Sequence, residues 1–353
     1  MKTGLRRGLL IITIVSLMLI GQQAISQEFV FPELLLLDEG NLHDLERIAM
    51  IESLDAEGMN WISSMAINTP GSVLAVGRDN GILSLYDLPS LQLRAEFHDH
   101  AFRINSLAFS HVDNDLLVSG SIDGKIIFTN VRTLQSIVAF EFKKEIERIS
   151  DISLHPLQNI LAFSSGVEVG YPEGNQLSIR NMQGMEEIAY IESPDADINT
   201  IQYSPDGKML ISGDSSGKIT IWDASDLEKI AVIEAHSSWV NDLAFCPGGS
   251  VFASVGEQET KLWDQTDFSL IAVNSIHDHK IYAVSCDKTG SLLVTGAQGG
   301  FLQVLDVGRL EEVLFFKAHE YAITSIVISP GNDFIVTGST DGTVGIWGIV
   351  REN

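Results

Sequence analysis

Short segments with alternating hydrophobic and polar residues, separated by turn residues, recur along most of the chain. One unit begins with INTIQY (198–203), turns through SPDGK (204–208) and resumes in MLISG (209–213). A third apolar segment ends in TIWD (220–223), and a fourth, LEKIAVIE (227–234), leads into the next unit. Alternation with a period of two indicates β-strands that bury one face. Each unit therefore predicts four strands joined by tight turns.

The unit occurs seven times, at intervals of 41 to 49 residues. The aligned position just before the first strand of each unit marks the register, and the residues there are Trp61, Arg103, Arg148, Asp197, Trp239, Lys280 and Ala322. Four short strands repeated at such a period are typical of the blades of a β-propeller. The pattern predicts an all-β fold, a single seven-bladed β-propeller of four-stranded antiparallel blades.

Several third strands end in a characteristic dipeptide. Trp222-Asp223 and Trp263-Asp264 are complete Trp-Asp pairs, and Trp347-Gly348 keeps the tryptophan. On these residues the chain resembles the WD-repeat β-propeller family over residues 45–350. In that family a loop histidine, a strand Ser or Thr, a turn aspartate and the tryptophan form a hydrogen-bonded tetrad inside a blade. The last unit holds the full matching set: His319, Thr337, Asp341 and Trp347.

The two ends of the chain carry complementary parts of one unit. LERIAMIE (45–52) matches the fourth strand LEKIAVIE (227–234), yet it precedes the first unit, and the last unit stops after its third strand at 343–350. The resemblance implies that this N-terminal strand completes the last blade, so that no sheet edge stays open there. The propeller domain is thus expected at 45–353. Residues 27–44 are either a linker or a packed segment.

The first 26 residues have the pattern of a secretory signal peptide. A basic start, MKTGLRR, precedes an apolar run of 13 residues, and Ala24 and Ser26 occupy the cleavage-site positions before Gln27. The run is shorter than the roughly 20 residues that span a bilayer. We therefore expect an exported protein, secreted or periplasmic, with no membrane segment in its mature form. A retained N-terminal anchor is the alternative.

The charge balance limits the partners. The chain has 22 Lys and Arg against 47 Asp and Glu, a net charge of −25. Such a surface repels phosphate backbones, which excludes nucleic-acid binding over a broad face. We expect a monomer that binds a protein or a peptide.

No catalytic or cofactor-binding motif stands out. The chain contains no G-x-S-x-G, no H-E-x-x-H and no phosphate-binding glycine loop. Four histidines, His100, His236, His277 and His319, occupy the repeat's loop position and are interpreted as structural, so no metal site is predicted. We predict no enzyme activity and no cofactor. A propeller enzyme of hydrolase type, with its active site in the channel, is an alternative.

The two cysteines lie in neighbouring units at adjacent alignment positions. Cys286 replaces the inward aromatic residue represented by Phe245, whereas Cys246 stands one place later. Because successive strand residues point to opposite faces, this offset disfavours a disulfide, and free thiols are expected.

Function is expected where the repeats differ. Seven-fold geometry places the marking residues on one ring at a mouth of the channel, and Trp61, Arg103, Arg148, Asp197, Trp239 and Lys280 are the candidate partner-binding residues. The third unit also carries an insertion, SSGVEVGYPEGNQ (164–176), with Tyr171 near its tip. We predict a non-catalytic interaction scaffold whose partner bears acidic and apolar residues. A purely structural subunit and a small-ligand or glycan-binding propeller are alternatives.

Overall fold

The computed structural model describes residues 13–15, 29–52, 60–142, 147–167, 175–192, 196–248, 250–275 and 279–351. These residues form seven sheets arranged as the blades of a propeller, which confirms the predicted fold class. Two short 3₁₀ turns, Leu42–Asp44 and Gln298–Gly300, are the only helical elements among them. No helix in the described ranges is both long and apolar enough to cross a bilayer.

Two strands precede the repeats, β1 (Thr13–Val15) and β2 (Glu46–Glu52), and blades 1 to 6 follow in chain order. Blade 1 consists of β3 (Ile62–Ile67), β4 (Val73–Arg78), β5 (Leu83–Asp87) and β6 (Leu93–Phe97). Blade 2 consists of β7 (Ile104–Phe109), β8 (Leu116–Ser121), β9 (Lys125–Asn130) and β10 (Gln135–Glu141). Blade 3 consists of β11 (Glu147–Leu154), β12 (Ile160–Val167), β13 (Gln176–Asn181) and β14 (Glu187–Glu192). Blade 4 consists of β15 (Ile198–Tyr203), β16 (Met209–Asp214), β17 (Lys218–Asp223) and β18 (Lys229–Glu234). Blade 5 consists of β19 (Asp242–Cys246), β20 (Val251–Gly256), β21 (Glu259–Asp264) and β22 (Leu270–Asn274). Blade 6 consists of β23 (Ile281–Cys286), β24 (Leu292–Ala297), β25 (Phe301–Asp306) and β26 (Glu311–Lys317).

Blade 7 is assembled from both ends of the chain, as predicted. It consists of β27 (Ile323–Ile328), β28 (Phe334–Ser339), β29 (Thr343–Gly348) and the N-terminal β2. Strand β2 pairs antiparallel with β29, with Ile51 opposite Val344. The first strand of each blade contacts the first strand of the next, and β27 contacts β3 to close the circle. Strand β1 falls within the predicted signal peptide and pairs parallel with the free edge of β2.

The core lies between blades, where at five of the seven seams an Ile or Val at the start of one blade packs against a glycine of the preceding blade. Ile62 of blade 1 is almost fully buried against Gly338 of blade 7. A Cβ atom on Gly338 would lie 2.5 Å from Cγ2 of Ile62, so only glycine fits at this seam. The same arrangement joins blades 4 and 5 through Gly213 and Val240. Blade spacing thus depends on a missing side chain at each of these contacts.

Residues 29–44, which precede the propeller, contact blades 6 and 7. Leu34 forms an isolated β-bridge with Val350. The N–H of Leu37 donates to the carbonyl of Asn332 at 2.8 Å. Leu37 and Leu42 are buried in the core between blades 6 and 7. The segment therefore covers the end of blade 7 that lies away from the predicted binding ring.

The prediction of free thiols is wrong, because Cys246 and Cys286 form a disulfide with a Cα–Cα distance of 5.1 Å. Adjacent alignment positions do point to opposite faces of their own blades. In a propeller, however, one face of a blade packs against the opposite face of the next blade. Phe245 accordingly packs toward blade 4, whereas Cys246 packs toward blade 6 and meets Cys286 there. The one-residue offset is what brings the two sulfurs together.

Candidate functional site

The predicted ring residues surround a cavity at one mouth of the channel. They stand at or shortly before the start of the first strand of each blade, so the closed circle brings them to the same face. The cavity has a volume of about 750 Å³. Five of the seven ring residues line it, and these are Trp61, Arg103, Arg148, Trp239 and Ala322. Asp197 and Lys280 belong to the ring but not to the lining of the cavity.

Aromatic side chains are exposed around this mouth. Trp61 is 46% exposed and Trp239 is 55% exposed, so neither is packed away on its own blade. Phe102 and Tyr321 are exposed as well and stand one residue before the ring position of blades 2 and 7. Sequence reasoning missed these two, although the alignment position before the ring would have shown them. The mouth is therefore more apolar than the ring position alone indicates.

Two arginines of neighbouring blades face the same cavity. A guanidinium nitrogen of Arg148 lies 3.5 Å from a carboxylate oxygen of Asp197. Arg103 has no ion pair with any described residue. Partial removal from water lowers the pKa of Arg103, the nearby Asp79 raises it, and the like charge of Arg148 lowers it again. One side of the mouth of this strongly acidic protein thus carries two arginines, with Asp79 and Asp197 beside them.

The polar side chains deeper in the channel mostly tie one blade to the next. A β-bulge at the start of most first strands turns the second strand residue out of the ladder. In blade 2 the bulged residue Asn105 donates from Nδ2 to the carbonyl of Ile149 at 2.8 Å, and in blade 5 Asn241, which precedes β19, donates to the carbonyl of Ile281 at 2.7 Å. These amides resemble a ligand-binding wall, but their donors already satisfy backbone carbonyls. Their first role is to hold the blades together.

Two carboxylates, Asp151 and Asp242, line the same cavity below the ring. Asp151 accepts a hydrogen bond from the N–H of Ile201, and Asp242 accepts one from the N–H of Val284, each in the following blade. Burial raises the pKa of both, that of Asp242 to about 7, and hydrogen bonds from the backbone oppose the shift. Nothing in the sequence distinguishes these two residues, since carboxylates are abundant in this chain.

The tetrad residues of blade 7 are joined by hydrogen bonds inside the blade. His319 Nε2 lies 2.7 Å from Thr337 Oγ1, which also accepts from Trp347 Nε1 at 2.9 Å. His319 Nδ1 lies 3.3 Å from Asp341. The hydrogen bonds from His319 and Thr343 hold the pKa of Asp341 well below its usual range, although burial opposes them. These residues connect a loop to two strands and lie away from the channel.

Blade 5 carries a reduced version of this network. His236 Nε2 and Trp263 Nε1 each lie 2.9 Å from Ser254 Oγ. Glu257 accepts instead from Ser237, and His236 Nδ1 has no partner among the described residues. Burial, with help from Lys261, lowers the pKa of His236 to about 4. This histidine is therefore neutral at physiological pH.

Some sequence predictions fall on parts of the chain that are not described. Tyr171, which was predicted to lie near the tip of the third-blade insertion, is outside the described residues, as is His277. The flanking strands of that hairpin, β12 and β13, end at Val167 and begin at Gln176. Within the described ranges, no group of three or more His, Cys, Asp or Glu side chains could hold a metal ion.

The fold and the tetrads define a class of protein, and comparison with known families identifies it. The model of the WD domain, G-beta repeat, matches residues 91–130, 186–223, 227–264 and 310–348. These matches fall on four of the seven blades. The chain belongs to the WD-repeat propeller family.

Individual relatives are distant. The chain is 25% identical to the Periodic tryptophan protein 2 homolog of Caenorhabditis elegans over 270 residues, which cover 68% of this chain and 26% of that protein. It is 26% identical to Actin-interacting protein 1 of Drosophila melanogaster over 297 residues, 71% of this chain and 48% of that protein. A shorter match, 29% identity over 105 residues, is to Cilia- and flagella-associated protein 52 of Macaca fascicularis, covering 29% of this chain and 17% of that protein. The chain thus spans less than half of the length of each of these relatives.

Proposed function

We propose that this chain is an exported, non-catalytic WD-repeat propeller that serves as a protein-interaction scaffold, with its partner docking over the channel mouth. The observation that carries the proposal is the exposure of Trp61 and Trp239 around an open cavity that is also lined by Arg103, which forms no ion pair with a described residue. Tryptophan and arginine dominate the energetics of protein interfaces. The name of the Drosophila relative, Actin-interacting protein 1, is that of a protein that binds another protein.

Two observations support the exported location. The N-terminal 26 residues follow the signal-peptide pattern, and the chain carries a disulfide between two blades. Disulfides persist in oxidising compartments and are rare in the cytosol. N-terminal sequencing of the purified protein tests cleavage before Gln27, and an intact first residue would favour a retained anchor.

The channel carboxylates support a scaffold over a channel hydrolase. Asp151 and Asp242 both accept backbone N–H groups of the next blade, which fixes them in a structural role. A general acid or base needs to reach a substrate proton directly or through one water.

A paired capture experiment tests the docking face. The chain, expressed with its N-terminal segment and a C-terminal tag, is incubated with extract from the native extracellular or periplasmic compartment. Beside it runs the variant Arg103→Glu, Arg148→Glu, Trp239→Ala, and a control, Arg132→Glu, whose side chain lies at the opposite end of blade 2. A partner that is lost only with the mouth variant, at an unchanged melting temperature, supports the proposal. Equal capture by all three proteins would place docking elsewhere.

A further inference from the structure

The channel mouth has two chemically different sectors. Three exposed aromatic residues, Tyr321, Trp61 and Phe102, come from the consecutive blades 7, 1 and 2. We call this set the aromatic arc. Arg103 and Arg148 follow directly on blades 2 and 3 and line the cavity. An apolar sector thus continues into a cationic one along the rim.

Arg103 has neither an ion pair nor a side-chain hydrogen bond with any described residue, although the nearby Asp79 raises its pKa. Arg47 and Arg78 also lack an ion pair, but their guanidinium groups contact Met50 and Ser84. Several other arginines each pair with an Asp or Glu within 4 Å, namely Arg94, Arg132, Arg180, Arg309 and Arg351. With 47 acidic residues available, the absence of an ion pair at Arg103 among the described residues leaves its donors open toward the cavity. Arg148 retains only a 3.5 Å contact with Asp197. Two like charges side by side are stabilised when an anion lies between them.

The structure also limits how deep an anion can go and how many charges it can carry. Asp151 and Asp242 line the same cavity and already accept the backbone N–H groups of Ile201 and Val284, so a carboxylate that moved further down would meet acceptors instead of donors. The net charge of −25 repels a run of acidic residues as it approaches. A single anionic group flanked by apolar side chains avoids both penalties.

We propose that the channel mouth binds an extended peptide segment of a protein partner by seating one Asp or Glu carboxylate between Arg103 and Arg148. The apolar residue beside that carboxylate packs on the aromatic arc. This inference rests on the proposed function and specifies its ligand chemistry. Arginine forms two parallel hydrogen bonds with a carboxylate, which gives the site geometric selectivity as well as charge selectivity.

Matched peptides test the carboxylate anchor. Fluorescein-labelled Ala-Leu-Phe-Glu-Leu-Ala is titrated with the full chain at low ionic strength. Three comparison peptides are titrated in the same way: one with Gln in place of Glu, one with phosphoserine in place of Glu, and one that carries six consecutive Glu residues. We expect the single-Glu peptide to bind at least about tenfold more tightly than the Gln peptide. Its binding should weaken by about tenfold with Arg103→Gln or Arg148→Gln and stay unchanged with the control Arg132→Gln. Equal melting temperatures verify that the variants are folded.

Any other outcome of the peptide titrations contradicts a specific part of the proposal. Equal affinity for the Glu and Gln peptides, or no binding of either, refutes the carboxylate anchor. Tighter binding of the phosphoserine peptide makes phosphate the anion instead. Tightest binding of the six-Glu peptide refutes the single-anion argument. A captured partner that is released by Trp239→Ala but not by Arg103→Gln would support the proposed function and refute the carboxylate anchor.

Discussion

Replacing Asp242 by asparagine is expected to remove a pH-dependent loss of stability from the propeller. Asp242 lines the channel and accepts hydrogen bonds from the N–H groups of Leu243 and Val284, at 2.8 and 2.9 Å. Burial raises the pKa of its carboxyl from 3.8 to about 7, and the nearby Asp151 adds to the rise. The folded protein therefore holds this proton more tightly than the unfolded chain does.

The sign and the size of the effect follow from that difference. Below the unfolded pKa the carboxyl is protonated in both states, and the free energy of unfolding has its full value. As the pH rises toward 7 the unfolded chain releases the proton first, so stability falls, and it levels off above the folded pKa. A shift of about three units corresponds to a loss on the order of 4 kcal/mol.

Urea unfolding followed by tryptophan fluorescence, between about pH 4 and pH 8, measures the effect. The quantity of interest is the difference in unfolding free energy between the wild type and Asp242→Asn at each pH. Asparagine keeps one acceptor oxygen for Val284 and does not ionise, so this difference should change by several kcal/mol across the range. Asp226→Asn, in an exposed turn, should give a flat difference. A flat difference for Asp242→Asn as well would refute the reasoning.

Three further changes test the architecture. His319→Ala removes the hydrogen bonds to Thr337 and Thr343 and the contact with Asp341, and it should cost about 1–3 kcal/mol in urea unfolding. A loss below the error of the measurement would contradict a structural tetrad. Gly338→Ala places a methyl group 2.5 Å from Cγ2 of Ile62 and should lower the free energy of unfolding by roughly 1–3 kcal/mol. Adding Ile62→Ala should restore part of this stability, and no recovery would argue against the contact between blades 7 and 1. Replacing both cysteines of the disulfide by alanine opens a loop with a sequence separation of 40 and should lower the free energy of unfolding by about 4 kcal/mol, measured by calorimetry. An unchanged melting temperature would mean that the disulfide does not stabilise the fold.

The seven sequence repeats made the fold predictable from the sequence alone. Each blade has to bury alternating residues against its neighbours, so the two-residue period, the turns and the spacing of 41 to 49 residues recur visibly. The closing strand was predictable for the same reason, since 45–52 copies a fourth strand and the observed β2 spans Glu46–Glu52. The ring of Trp61, Arg103 and Trp239 follows from register, because one alignment position becomes one circle in a closed propeller.

Contacts between blades were decided only by the tertiary structure. The disulfide depends on which face of blade 5 meets blade 6, a relation that strand alternation within one chain segment does not contain. The raised pKa of Asp242 requires the closed channel that removes its carboxyl from water. The unpaired state of Arg103 depends on where all the described carboxylates end up. Local periodicity thus determined the blades, whereas the chemistry of the channel depends on how the ring brings distant residues together.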